Sequence, residues 1–169
     1  MLINLTLATA LLLSIITDIK SRKILNIVTL PAILIGFIYY ISIYGFEGFL
    51  FSGKGLLVGF SLLLIPYLLG GMGAGDVKLM AAVGSLMGAG FVFYSFIYSA
   101  LIGGVIALVL IIKSKGFVNL IKSSFYNVIF FRSNLGELLI PGEKQNSISF
   151  PYGIAIVLGT LCTVIWGGF

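Results

Sequence analysis

Long apolar runs divide this chain, and they constrain its fold more than any other feature. The runs extend over residues 2–17, 24–44, 55–69, 79–112 and 148–166. A helix that crosses the hydrocarbon core of a membrane needs about 20 apolar residues, and the run at 79–112 accommodates two short crossings with a hairpin near Gly88-Ala89-Gly90. We therefore predict an all-α polytopic membrane bundle of about six transmembrane helices.

The composition supports one integral-membrane domain over residues 1–169. Apolar residues make up 60% of the chain without counting glycine, and charged residues 9%, whereas soluble domains are typically about 45–50% apolar and about 25% charged. Histidine is absent and Cys162 is the single cysteine, which excludes Ser-His and Cys-His nucleophile pairs, HExxH zinc sites and thiolate zinc clusters. We expect neither a metal nor another cofactor.

The basic residues predict the orientation of the chain. With six spans, nine of the ten lie on the cytoplasmic side, Lys54 lies outside, and so does the N-terminus. The nine are Lys20, Arg22, Lys23, Lys78, Lys113, Lys115, Lys122, Arg132 and Lys144. This topology accounts for the net charge of +5, so we expect the lipid bilayer and no nucleic acid as a partner.

A more polar stretch at 113–148 is predicted to be a cytoplasmic loop. Within it, apolar residues at helical spacing over 116–131 favour an amphipathic helix in the membrane interface, or alternatively a cytoplasmic helix packed on the rest of the protein. Residues 133–148 are predicted to form a loop, with a turn at Pro141-Gly142.

The two aspartates of the chain, Asp18 and Asp76, each stand where an apolar run stops. A carboxylate within a membrane costs roughly 2.5–3.5 kcal/mol on insertion scales, so such a group indicates a functional site. The predicted topology brings both to the same side at the same depth, at the inner ends of the first and third spans. Two adjacent carboxyl groups share a proton, as in aspartic proteases, and we predict that these two are catalytic.

The residues around Asp76 fit such a site. Gly73 and Gly75 can adopt positive φ and let an extended peptide approach Asp76, although glycines also pack membrane helices closely. Lys78 could meet an acidic residue of a substrate or anchor a helix end. We predict that these three residues bind the substrate or shape the site.

The motif Gly73-Ala74-Gly75-Asp76, followed by Val77-Lys78, resembles the GxGD motif of the type IV prepilin leader peptidases, which are membrane aspartic proteases with six spans. The longer stretch 70–84 resembles the second-aspartate region of that family almost throughout. Residues 18–26 resemble its first-aspartate region, with Ile24-Leu25-Asn26 where the family has Ile-Pro-Asn. The resemblance covers residues 1–112, and residues 151–156 resemble the last span.

The resemblance implies a bacterial cytoplasmic-membrane endopeptidase that removes the short basic leader of a prepilin or pseudopilin at the cytoplasmic face. The size is similar to that of the short members that serve tight-adherence pili. The cysteine-rich insertion of the longer, bifunctional members has no counterpart between Leu13 and Asp18, so N-methyltransferase activity is not expected. Neither the specific pilin nor the oligomeric state follows from the sequence.

Three other functions are compatible with parts of the sequence. A presenilin-like protease, which also carries GxGD, would hold its two acids deep in the bilayer, whereas Lys or Arg flanks both acids here. A small proton-coupled transporter would need acids near the middle of its helices and a polar path between them. A Ser-Lys protease would use Ser52 and Lys54, which the topology places together outside the membrane.

Overall fold

The structure, a computed structural model, describes residues 1–21, 24–69, 71–113 and 152–166. These residues form helices and short connections, without a strand. The helices are α1 Leu2–Ser21, α2 Asn26–Tyr44, α3 Phe46–Leu68, α4 Ala74–Met87, α5 Ala89–Lys113 and α6 Tyr152–Trp166. The predicted all-α class is confirmed. The helix predicted at 116–131, the turn at Pro141-Gly142 and the rest of the predicted loop to residue 148 lie outside the described residues.

Four of these helices are long and apolar enough to cross a membrane: α1, α2, α3 and α5 over Ala89–Val109. Helix α6 is also apolar but shorter. Many large apolar side chains on these helices are exposed, among them Leu5, Leu12, Ile27, Leu34, Ile38, Leu57, Ile65, Leu101 and Ile165. A surface of this kind requires a lipid environment, because soluble monomers rarely expose large continuous apolar patches. The predicted membrane helical bundle is confirmed.

The helix boundaries differ from the predicted ones at two connections. Helix α1 continues past residue 17 to Ser21, so Asp18 lies within the helix rather than after it. The stretch between the apolar runs 24–44 and 55–69 is helical from Phe46 onward, so the connection is reduced to Gly45, whose φ of 58° allows the chain to reverse at one residue. Lys54 therefore lies within α3. The hairpin predicted near residues 88–90 is present, and Gly88, with φ 87°, joins α4 to α5.

Helix α4 occupies the centre of the unit formed by residues 1–103 and 152–166; residues 104–113 belong to a second unit. Residues 79–86 of α4 are all buried, as are Asp76 and Val77. Helices α1, α2, α3 and α6 each contact it. A short helix that is apolar on all sides is stable only when it is enclosed in this way.

Glycines bring the backbones of α3 and α4 into direct contact. A Cβ atom on Gly55 would collide with the carbonyl oxygen of Gly84, and a Cβ on Gly84 with that of Gly55. The same holds for Gly59 and the carbonyl of Met80. Contacts of this kind replace the hydrophobic effect as the force that joins helices in lipid.

The buried hydroxyl of Ser52 adds a hydrogen bond to this interface. Ser52 is 0% exposed and donates to the carbonyl oxygen of Ser85 at 2.6 Å. Lys54 is exposed, and residues two apart on a helix do not face each other. The Ser-Lys protease considered above is therefore incompatible with the structure.

Replacing Gly84 with alanine is expected to weaken the α3–α4 interface. The added methyl group meets backbone atoms that cannot rotate away, so the free energy of unfolding should fall by about 1–3 kcal/mol or more. Gly90, exposed in α5 with no atom within 4 Å of its would-be Cβ, provides the matched control, and Gly90→Ala should be neutral or slightly stabilising. Thermal unfolding in detergent compares the two; equal effects would contradict the interface described here.

Candidate active site

Asp18 lies near the C-terminal end of α1 and is 5% exposed. The N-terminus of α6 packs against it: the N–H groups of Gly153 and Ile154 face its carboxyl group, and a Cβ on Gly153 would lie 2.6 Å from its Oδ2 atom. Free N–H groups and the positive end of the helix dipole both favour a carboxylate at this position. The polar environment of Asp18 is thus formed by α6, which lies far from Asp18 in the sequence.

Asp76 lies in the first turn of α4, rather than at the end of the third span as expected, and is 8% exposed. Its Oδ2 atom accepts a hydrogen bond of 3.0 Å from the N–H of Gly73, and its own N–H donates to the Gly73 carbonyl at 3.1 Å. A carboxylate at the third helical position that reaches back to the N-cap N–H is half of a capping box. Asp76 therefore has a fixed orientation.

Ile24, just before α2, links the surroundings of the two acids. Its side chain contacts the Gly153 position beside Asp18, and its Cβ and backbone contact the Gly75 position beside Asp76.

The carboxyl group of Asp76 lies on α4, which is not among the four candidate membrane spans. Burial and, to a smaller extent, the charge of Asp18 together raise the pKa of Asp76 to about 6, against the opposing effect of the Gly73 hydrogen bond. The two carboxyl groups thus interact electrostatically.

The two glycines of the motif have different environments, and neither has the positive φ that was expected. Gly73 is extended, with φ −82°, and the positive-φ glycines of the described residues are Gly45 and Gly88. A Cβ on Gly75 would lie 2.9 Å from the Cβ of Ile24, whereas a Cβ on Gly73 would make an ordinary contact of 3.5 Å with Asp76. Close packing explains Gly75; their predicted role in admitting a substrate stays a prediction.

Lys78 joins α4 to the start of α2. Its Nζ atom donates to Oδ1 of Asn26 at 2.9 Å, which fits the predicted anchoring role. Leu25, in the place of the family's proline, is the N-cap of α2 with φ −79° and ψ 138°. Because proline fixes φ near −65 ± 15°, the backbone keeps the shape that a proline would impose.

Three residues that shape the site were not predicted from the sequence. Gly153 contacts Asp18, Ile24 separates Gly75 from Gly153, and Tyr152 lies close enough to Asp76 to interact with its charge. The one available signal was the resemblance of residues 151–156 to the last span of the family, which carries no role for individual residues. Contacts between residues so distant in sequence become visible only in the folded chain.

A separate cavity of about 380 Å³ lies where α2 meets α3 and is lined by Tyr40, Tyr44, Glu47, Gly48 and Phe51. The tyrosines lie at the end of α2 opposite to Ile24, so this cavity is remote from both aspartates. Within the described ranges, no group of three or more His, Cys, Asp or Glu residues could hold a metal ion. The expectation that the site works without metal stays a prediction.

Taken together, the fold and the site define a helical membrane protein with two buried, interacting carboxyl groups at helix ends. Comparison with protein families then identifies the class: the model of the type IV leader peptidase family matches residues 5–108, more than half of the chain. The chain belongs to this family and is a peptidase of the leader-peptidase type. Searches of curated proteins and of solved structures gave no match.

The matched range contains Asp18, Gly73, Gly75, Asp76 and Lys78, whereas α6 lies beyond it. The family resemblance expected from the GxGD motif is thus confirmed. The catalytic role of each residue is a separate question that the match does not address.

The glycines of the motif should respond differently to alanine. Gly75→Ala forces apart α4 and the backbone of Ile24 and should lower the unfolding free energy by about 1–3 kcal/mol. Gly73→Ala places a methyl group in ordinary contact at a φ that any residue adopts, and its effect should stay within about 0.5 kcal/mol. Thermal melts of the two variants in the same detergent measure this, and a larger loss for Gly73→Ala would refute the packing described here.

The raised pKa of Asp76 predicts a pH-dependent stability. The stability that the protonated Asp76 contributes to the folded state is fully present below its ordinary pKa of 3.8. This stability is lost as the pH rises through about 6, where Asp76 ionises in the folded protein. Asp76→Asn retains an acceptor for the Gly73 N–H and removes the titration. At pH 8 this variant should melt at a temperature higher by at least about 5 °C than the unsubstituted protein, because one pKa unit corresponds to about 1.4 kcal/mol.

At pH 4 the two proteins should melt at similar temperatures. The measurement is a series of melts between pH 4 and 8, with Glu47→Gln, an exposed acid of α3, as the control. Parallel curves for Asp76→Asn and the unsubstituted protein would show that Asp76 does not titrate in this way.

Proposed function

We propose that this protein is an aspartic endopeptidase that removes the short basic leader from prepilins or prepilin-like proteins, with Asp18 and Asp76 as the catalytic pair. The supporting observation is the interaction between two buried carboxyl groups, one at the end of α1 and one at the start of α4, within a leader-peptidase chain. Such a pair carries out peptide hydrolysis without a cofactor.

In the proposed mechanism the two acids share one proton. Asp76, whose pKa is raised by burial and by the charge of Asp18, is assigned that proton, and Asp18 is the ionised partner. Asp18 takes a proton from a water molecule, whose oxygen attacks the scissile carbonyl carbon, while Asp76 donates its proton to the carbonyl oxygen. The tetrahedral intermediate then collapses: the C–N bond breaks, the proton on Asp18 passes to the leaving amine, and one hydroxyl group of the intermediate returns its proton to Asp76. The products are a carboxyl group and an amine, and the pair again holds one proton.

The proposed substrate is a chain with a basic leader in the cytoplasm ahead of a hydrophobic helix. Acids at the ends of helices can reach a bond just outside a spanning segment, and the positive-inside distribution of Lys and Arg places these ends on the cytoplasmic side. We therefore propose the bacterial cytoplasmic membrane as the location, with the N-terminus outside. The similarity to the short members suggests a role in type IV pilus assembly of the tight-adherence kind, without N-methyltransferase activity.

The position of the acids also bears on the alternatives. A presenilin-like protease cuts within a spanning helix and needs its acids deep in the bilayer, whereas Asp18 lies three residues before the end of α1 and Asp76 in the first turn of α4. The proton-coupled transporter is not supported by membership of a peptidase family.

Asp18→Asn and Asp76→Asn should each reduce leader removal by at least about 100-fold, because general acid–base catalysis contributes about 10²–10⁴-fold. Each variant is co-expressed with a tagged prepilin, and the size of the pilin is followed on a gel. Glu47→Gln serves as the matched control, because this exposed acid lies on α3 beside the remote cavity. Full processing by either aspartate variant, at equal membrane insertion, would overturn the proposed pair.

A further inference from the structure

Two buried hydroxyl groups, one on α1 and one on α2, differ from every other serine or threonine hydroxyl in the described part of the chain. Ser14 is 0% exposed and Thr29 is 1% exposed, and neither oxygen atom has a hydrogen-bond partner among the described residues. The remaining twelve hydroxyls donate hydrogen bonds, most of them to the carbonyl of the preceding helical turn. Ser14 and Thr29 therefore lack the hydrogen bond to their own helix that such hydroxyls usually make.

Oδ2 of Asp18 lies beside Gly153, yet among the described residues it is the third buried side-chain atom without a hydrogen-bond partner, although the N–H groups of α6 face the carboxyl group. Ser14 precedes Asp18 by four residues, so the two side chains lie on the same face of α1, one turn apart. Thr29 is the fourth residue of α2, and Asp18 is the fourth from the end of α1. Because α1 and α2 pack against each other and are joined by a short connection, Thr29 lies at about the same depth as Asp18.

A buried polar atom without a hydrogen bond is unfavourable and rare in folded proteins, so three such atoms together require an explanation. A buried water molecule typically makes about three hydrogen bonds to groups of this kind. One water can accept from both hydroxyl groups and donate to Oδ2 of Asp18, so that each of the three groups makes one hydrogen bond.

From this arrangement we infer that Ser14, Thr29 and Oδ2 of Asp18 form an internal water-binding site, in which the two hydroxyls position the Asp18 carboxyl group through one shared water. The inference deepens the proposed function and rests on it for its effect on catalysis. Ser14 and Thr29 are positioning residues, since they act through the water and Asp18 and do not touch the substrate.

The first test detects the water directly and does not depend on activity. The isotope-labelled protein is examined in lipid bilayers by solid-state NMR, and cross-relaxation from water to the Thr29 and Ser14 side chains is measured. Thr160, equally buried and bonded to the carbonyl of Ile156, is the control. We expect a water signal at Ser14 and Thr29 and none at Thr160; its absence at both positions would overturn the inference.

The second test uses the kinetics of leader removal. Ser14→Ala and Thr29→Val remove one hydroxyl each with little change in shape, and each should lower kcat by about 10-fold with KM unchanged. If one water serves both groups, the double variant should lose about as much as a single one rather than about 100-fold. Thr29→Ser, which keeps the hydroxyl, should retain the full rate.

Thr17→Val is the matched control on α1, because Thr17 is partly exposed and bonds to the carbonyl of Leu13; its kcat should not change. Multiplicative losses in the double variant, or unchanged rates in both single variants, would overturn the inference. Failure of the proposed function has a different signature: it would appear as full activity of Asp18→Asn, while the NMR signal of the water would be unaffected.

Discussion

The position of the second acid depends on the direct contact between the backbones of α3 and α4. In lipid, apolar side chains gain nothing by leaving solvent, so helices associate through close packing and hydrogen bonds. Gly55 and Gly84 supply the close packing, and the Ser52 hydroxyl adds a bond to the carbonyl of Ser85. A helix fixed in this way along its length presents its first turn, with Asp76, at one defined place.

Burial of two carboxyl groups is costly, and within the described ranges backbone donors, not basic side chains, offset this cost. Asp76 accepts from the N–H of its own N-cap, Gly73, and Asp18 faces the N–H groups at the start of α6. A lysine or arginine paired with either acid would favour full ionisation of that acid. Lys78, the basic residue nearest to Asp76 in sequence, is bonded instead to Asn26.

The sequence predicted the fold class and the hairpin at Gly88 because both depend on local signals, namely the length of apolar runs and a glycine at a reversal. It also singled out Asp18 and Asp76, because a charged residue beside an apolar run is visible without any tertiary information. The extent of α1 through Asp18 and of α3 through Lys54 was missed, since charged residues were read as the ends of helices. In a bundle, a charged residue near a helix end can remain helical while its side chain finds a polar neighbour.

The structural role of each motif glycine could not be predicted from the sequence, because it depends on which residues pack against that glycine in the folded chain. A side chain at Gly75 would collide with Ile24, whereas one at Gly73 would make only ordinary contacts, with Asp76 and Gly75. The two glycines are the same residue type in the motif, but the chain segment around Ile24 packs against Gly75 and not against Gly73. Ser14 and Thr29 could not be singled out from the sequence for the same reason, because their hydroxyls differ from the others of the described residues only in lacking a hydrogen-bond partner.

The contact between Asp18 and the start of α6 has a consequence for biosynthesis. The N–H groups of Gly153 and Ile154 that face Asp18 are synthesised more than 130 residues after it. Throughout that interval the nascent helix carries an acid whose polar environment is incomplete. The surroundings of Asp18 are therefore completed only when α6 has been made and has packed against α1.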